Sequence, residues 1–210
     1  MVETEYLLKL VDTFYKNDYR YYHTIHHVKK MFQMLEQYQE LFDEEFKDNE
    51  EYNIDLVKYA IAYHDAFYIP GFQGNEYMSA KLAEFDLNNK LDSLDKIIVI
   101  SLIESTDIRY QRLKYSSCNV KILHDLDWSR FINYDEIIDD DLKVFNEAFD
   151  TFHCQSKYHK IIVENQKEFY QKYCNRDIFY TNTFGKYNKI AKENMKKRLE
   201  YFKEYIKKEF

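Results

Sequence analysis

The amino-acid sequence predicts an all-α fold, one compact helical bundle over residues 1–210. Three observations carry that expectation. Apolar residues recur at three- and four-residue spacing in one segment after another. Only 3 Gly and 1 Pro are present, too few turn formers for many short strands, while 21 Tyr and 16 Phe supply large side chains for packing helix on helix. The length suits a single domain with a sizeable core, and no internal repeat or low-complexity linker divides it.

From Val2 to about Lys16, Leu7, Leu8, Val11, Phe14 and Tyr15 make a first helical stripe. A second helix, from about Thr24 to Phe46, turns Val28, Met31, Phe32, Leu35 and Phe42 inward and carries His23 and His27 in its first turns. Asp48-Asn49-Glu50-Glu51 reads as a solvated loop. Leu56, Val57, Ala60 and Ile61 then lead an apolar helix into His64-Asp65. Pro70-Gly71 and Gly74 concentrate the turn formers in the loop that follows, a position suited to a lid over a pocket. Asn75 reads as the N-cap of a helix from Glu76 to Leu87, and Asp92 or Ser93 as the cap of the next, which carries Ile97, Ile98, Ile100 and Leu102. Lys121 to Phe131 contains Asp125-Leu126-Asp127. Further helices are expected from about Asp140 to Phe152, Tyr158 to Tyr173 and Lys186 to Lys208.

Composition narrows the function classes. Cys118, Cys154 and Cys174 are odd in number and widely spaced, which argues against a disulfide framework or a thiolate metal site and for small core residues. No segment approaches the roughly 20 apolar residues of a membrane span, and no signal pattern opens the chain, so a cytoplasmic protein without a membrane partner is expected. A net charge of -7 argues against duplex nucleic acid as a partner, although a nucleotide can still bind through a local positive pocket and a metal.

The polar residues at the end of the apolar 54–63 stretch carry the chemistry. Burying an imidazole beside a carboxylate is costly unless both are partnered, and a cation satisfies both at once. With His27 upstream and Asp127 downstream, the chain supplies two imidazoles and two carboxylates from three helical segments. Such a mixed set holds a divalent cation and leaves positions open for water, which reads as a metal hydrolase.

Arg20-Tyr21-Tyr22-His23 to His27, then His64-Asp65-Ala66-Phe67-Tyr68, Asn75-Glu76 with Ser79-Ala80, and Asp125-Leu126-Asp127 occur in that order. Together they resemble the HD superfamily of metal-dependent phosphohydrolases, and within it the small hydrolases with an Arg-x-Tyr-His-x-x-x-His opening. The stretch around Arg176, Phe179, Phe184, Ala191 and Asn194 is similar to that family's C-terminal region. The resemblance implies an HD-domain helical bundle and carries the ligand role onto His27, His64, Asp65 and Asp127, with Asp125 as the fallback for the last. It also implies one divalent ion, with Mn, Fe, Co, Ni, Zn and Mg all compatible. The reaction it implies is attack by a metal-bound water on a nucleotide or other small phosphorylated metabolite. Two rivals stay open: an HD-fold hydratase or hydrolase of a non-phosphate C–N bond, and a non-catalytic binding or regulatory protein that keeps the cluster for structure.

Around the ligands, each residue has a functional and a structural reading. Asp65 holds the ion on which turnover depends. His23, one turn before His27, either touches substrate or caps the helix. Glu76 either accepts a proton from water or complements a helix dipole. Arg20 either clamps a phosphate or ties the first two helices together. His124 is either a hydrogen-bonding neighbour of the ligands or a satisfied core residue, and His153 and His159 read as surface or packing residues. Relative to dinuclear relatives, Tyr68 stands where a second metal's ligand would fall, which favours a single ion. Arg109 stands three residues after Thr106 where closer relatives often carry His, which suggests a more anionic substrate.

Overall fold

The computed structural model describes residues 2–109, 116–151 and 156–210. It is all-helical, with no strand among the described residues. The elements are α1 (Thr4–Val11), a 3-10 turn (Asp12–Tyr15), α2 (Ile25–Glu45), α3 (Ile54–Tyr63), α4 (Asn75–Asp86), α5 (Ser93–Glu104), α6 (Cys118–Asp127), a second 3-10 turn (Trp128–Ile132), α7 (Tyr134–Thr151), α8 (Ser156–Tyr173), α9 (Asn182–Gly185) and α10 (Asn188–Glu209). His153 and Cys154 lie outside the described residues, whereas Cys118 and Cys174 are buried. No helix of the described residues is long and apolar enough to cross a membrane.

Helix α3 is the axis of the fold. Every residue from Leu56 to Tyr63 is buried, and α1, α2, α4, α5 and α6 pack around it. That all-round burial follows from a segment apolar on nearly every face, with Lys58 its one charged member between Leu56 and Tyr63. On the far side, α7 and α10 flank α8, and the second 3-10 turn touches both α7 and α10. The aromatic surplus is spent at the seams between helices. Phe42 stacks on Phe184 at 5.9 Å, while Trp128, Phe131, Phe169 and Tyr170 form a second cluster.

Local polar chemistry sets the helix starts. Thr24 accepts from the His26 N–H, and Asp92 accepts from Leu94 and Asp95. Asn53 caps α3, each such cap contributing about 1 kcal/mol. The expected cap at Asn75 is not what the structure builds. Gly74 occupies the cap position, and the Asn75 side chain instead accepts from the Ile69 N–H at 2.9 Å and donates to the Ile69 carbonyl at 3.0 Å. Ser79 does the same for Phe67, accepting from its N–H and donating to its carbonyl. Two side chains of α4 thus hold the Phe67–Gly74 loop from beneath, and Gly71 at φ 78° supplies the left-handed turn within it.

One contact sets the level of the site. Asn119, in the first turn of α6, accepts from the Asn53 N–H at 3.1 Å and donates to the Glu51 carbonyl at 2.7 Å. Helices α3 and α6 therefore start side by side and run parallel. Each has 10 residues, so they rise by the same ~15 Å and finish side by side. Replacing Asn119 with Ala leaves a backbone donor and an acceptor unpaired at this junction. The expected loss is about 2 kcal/mol in urea unfolding, and wild-type stability in Asn119→Ala would remove the junction from this role.

Candidate metal centre

His64 and Asp65 follow the last residue of α3, and Asp127 is the last residue of α6. The matched lengths of the two helices bring these three to one level, and α2 delivers His27 against them. His64 Nε2 lies 3.0 Å from Asp65 Oδ2 and 3.3 Å from His27 Nε2. His27 Nε2 lies 3.0 Å from Asp127 Oδ1 and 3.9 Å from Asp65 Oδ2, and His64 Nε2 lies 3.9 Å from Asp127 Oδ1. The ligand atoms of His27, His64 and Asp65 all fall within 4.8 Å of one another, a cluster that could hold a metal ion.

The hydrogen bond on the other side of His64 fixes its chemistry. Nδ1–H donates to the Ile61 carbonyl at 2.9 Å, so a neutral His64 turns the lone pair of Nε2 toward the cluster. The Nε2 atoms of two imidazoles and the oxygens of two carboxylates converge on one small volume, and positive charge there, a metal ion or a proton, relieves the repulsion between the carboxylates. Burial is the largest influence and opposes charging His64, but the Asp65 and Asp127 carboxylates and the Ile61 carbonyl together outweigh it and lift the imidazole from 6.5 to about 9. Burial likewise works against the Asp65 carboxylate, yet the His64, His23 and His27 imidazoles hold it well below the usual carboxylate range. Asp127 is lowered in the same way by its bond to His27.

Asp125, the fallback for the last ligand, points away from the cluster. Its buried carboxylate accepts from the Tyr180 and Thr181 N–H groups and from Thr181 Oγ1 at 2.7 Å, tying α6 to the start of α9. Two residues apart on a helix point about 200° apart, so Asp127 faces the cluster while Asp125 faces the core. His124 also faces the core, where Nε2–H donates to the Ile178 carbonyl and burial lowers its pKa to about 4. His159 packs between Phe145 and Phe210 with its ring bonded to Tyr205.

Arg20 does not reach into the cavity as a phosphate clamp would. Its guanidinium donates to the carbonyls of His23 at 3.1 Å, Asp65 at 2.8 Å and Ala66 at 3.1 Å. A planar cation here satisfies the carbonyls that the end of α3 leaves over and welds the His23 segment to the His-Asp turn. Arg109, whose presence suggested a more anionic substrate, is exposed and paired with Asp107, with a further bond to the Gln73 carbonyl at 2.6 Å.

The residue that sequence reading missed is Glu147. Fully buried, it accepts from the N–H groups of Tyr21, Tyr22 and His23, each at 2.8 Å, and from His23 Nδ1 at 2.6 Å. His23 stacks on Tyr68 with ring centroids 3.6 Å apart, so its orientation is fixed from two directions and Nε2 remains for a ligand. A sequence signal was present: Asp140, Asp141 and Glu147 place carboxylates on the inner stripe of α7 beside Ile137 and Val144. Arg130 carried no such signal. It lies over the Tyr22 and Phe131 rings, 3.4 Å from Asp141.

A cavity of about 590 Å³ opens over the cluster, within the range of small-molecule pockets. His23, His64, Asp65, Glu76, Asp127 and Arg130 all line it. Glu76 is half-buried, and burial raises its carboxyl with help from nearby Asp107 and Asp65.

Two outcomes test this geometry. In chelator, the stability contributed by protonated His64 is complete below pH 6.5 and lost as pH rises through about 9. Urea unfolding is therefore expected to weaken by a few kcal/mol over that window, and a flat profile would place His64 outside the field of Asp65. Arg20→Ala is expected to cost about 3 kcal/mol through its orphaned carbonyls, and Arg20→Lys should recover little because an ammonium cannot span three acceptors in one plane. Neutral behaviour of Arg20→Ala in the same assay would return that residue to the substrate.

No family model, curated protein or solved structure matches the chain, so its chemistry is read from these side chains and the order of its motifs.

Proposed function

We propose that the protein is a metal-dependent phosphohydrolase of the HD type, acting on a small phosphorylated metabolite. The observation that carries the proposal is the convergence of His27, His64 and Asp65, with Asp127 beside them, on the wall of a cavity large enough for a metabolite. In this reading His27, His64, Asp65 and Asp127 hold one divalent ion. Two imidazoles with two carboxylates suit Mn, Fe, Co, Ni, Zn or Mg. When bound, the ion lowers the pKa of water and neutralises charge on a phosphate oxygen.

The remaining groups supply the rest of a hydrolysis. Glu76, with its raised pKa and its place in the cavity wall, accepts a proton from the attacking water. His23, held through Nδ1 by Glu147, offers Nε2 to the leaving-group oxygen and gives it a proton. Arg130 brings a guanidinium to the phosphate, one of the two roles the sequence left open for Arg20. Arg20 acts through the backbone it holds and is a positioning residue.

Elemental analysis of protein purified without chelator, combined with a phosphomonoester panel, tests the proposal. Wild-type protein is expected to carry one divalent ion per chain and to lose both ion and turnover in Asp65→Asn, with its helical circular dichroism intact. His64→Ala should behave likewise, and chelation should lower the melting temperature. Full activity in metal-free Asp65→Asn, or unchanged metal content in both variants, would overturn it.

A further inference from the structure

Tyr22 lies between two residues of the site, and its backbone and ring are both held. The N–H donates to Glu147 at 2.8 Å and the carbonyl accepts from the Thr24 N–H at 2.7 Å. The ring meets the His23 ring edge-on and the His27 ring at a tilt, each with centroids 4.8 Å apart. Over the ring stands the Arg130 guanidinium, 5.2 Å from the centroid and itself paired with Asp141.

What these contacts leave over is the hydroxyl. It has no hydrogen-bond partner among the described residues and is not sealed from solvent, while Tyr22 lines the cavity beside His23, His64, Asp65 and Asp127. Burial raises its pKa well above the ordinary value, opposed by the Arg130 guanidinium and reinforced by the Asp127, Asp140 and Asp65 carboxylates, so the O–H lies among the charges of the site. Nearby tyrosines spend their hydroxyls within the protein: Tyr15 on the Ala62 carbonyl, Tyr21 on Asp150 and Tyr170 on Asp141. A phenol turned to a cavity without a protein partner is a donor that a ligand can take up.

Position selects the ligand atom. The ring stands between His23, whose Nε2 faces the leaving group in the reading above, and His27, whose ligand atom belongs to the cluster. A donor between those two meets a phosphoryl group seated at the ion. Arg130 is shared with Asp141, and Glu147 is taken by His23 and the backbone. A neutral O–H whose backbone and ring are already fixed adds no charge to desolvate and loses little freedom when it bonds.

We infer that Tyr22 contacts the substrate, its hydroxyl donating to a non-bridging oxygen of a phosphoryl group held at the His27, His64, Asp65 and Asp127 cluster. This rests on the phosphohydrolase reading for the identity of the ligand, and the test separates the two.

Binding of inorganic phosphate to the full-length protein with Mn²⁺ present is measured by calorimetry for wild type and Tyr22→Phe, beside turnover on the phosphomonoester panel. The Phe ring keeps the packing against His23, His27 and Arg130 and removes only the hydroxyl. Tyr22→Phe is expected to bind phosphate at least about tenfold more weakly, the effect of losing one hydrogen bond to a charged group. It should lose at least as much in kcat/KM, with metal content and melting temperature at wild-type values. Tyr21→Phe, one residue away with its hydroxyl on Asp150, should bind phosphate as wild type does. Equal phosphate affinity in wild type and Tyr22→Phe overturns the inference. Loss of the ion from Tyr22→Phe also overturns it, since the residue would then act on His27 and not on phosphate. Failure of wild type to bind phosphate under these conditions overturns it as well. Phosphate binding that depends on the Tyr22 hydroxyl, in a protein that hydrolyses no phosphomonoester, supports the inference and overturns the catalytic reading instead. Turnover untouched by Tyr22→Phe does the reverse.

Discussion

Two parallel helices of equal length, tied together where they begin, set the geometry on which the rest of the molecule depends. Asn119 makes the tie by bonding the backbone at Asn53 and Glu51. Because α3 and α6 rise equally from that junction, His64-Asp65 and Asp127 arrive together at the opposite end. An insertion of a single residue in either helix would rotate its last side chain by about 100° and lift it by about 1.5 Å, enough to separate the carboxylates from the imidazoles. The burial of α3 on all sides makes this end rigid, so the convergence of lone pairs is held by packing and not by the polar groups themselves.

Around the cluster, two ions of opposite sign, half-buried Arg20 and buried Glu147, do complementary work on the backbone. Arg20 collects three carbonyls, those of His23, Asp65 and Ala66, while Glu147 collects three N–H groups, those of Tyr21, Tyr22 and His23. The segment from Arg20 to His23 is thereby held from both ends of its peptide dipoles. Each is stabilised by a set of charge-assisted bonds, Glu147 adding the His23 ring to its three N–H groups, which is how a charge out of water offsets its desolvation cost. His23 then inherits a fixed orientation from Glu147 and from the Tyr68 ring.

The cavity lies where two groups of helices meet. The cluster side chains come from α2, from the turn that ends α3 and from α6, while α7 and α8 provide much of the facing wall. Polar chemistry is confined to one side and apolar surface to the other. The glycine loop closes a third side, and it is held by Asn75 and Ser79 from below, so a motif that looked like a helix cap serves to shape the mouth.

Much of this was legible in the chain. Three- and four-residue apolar spacing named most of the helices, because that period is a property of the helix itself and needs no partner; α7 nonetheless begins at Tyr134, ahead of the expected Asp140, and the short α9 carried no such signal. The ligand candidates were legible too, since a His-Asp pair at the end of an apolar helix is conspicuous wherever that helix goes. Asp125 and Asp127 could not be separated by helix period alone, and the structure places them about 200° apart, Asp127 at the cluster and Asp125 at Thr181. What tertiary structure alone decided were partners distant in sequence. Arg20 is as consistent with a phosphate as with three carbonyls until the end of α3 is placed beside it. Glu147 meets the backbone of Tyr21 to His23 across more than 120 residues, and Arg130 becomes a wall of the cavity only once α7 is packed. Local period is written in the sequence because it is set by neighbouring residues; hydrogen-bond partners across the bundle are set by packing, which no stretch of sequence contains by itself.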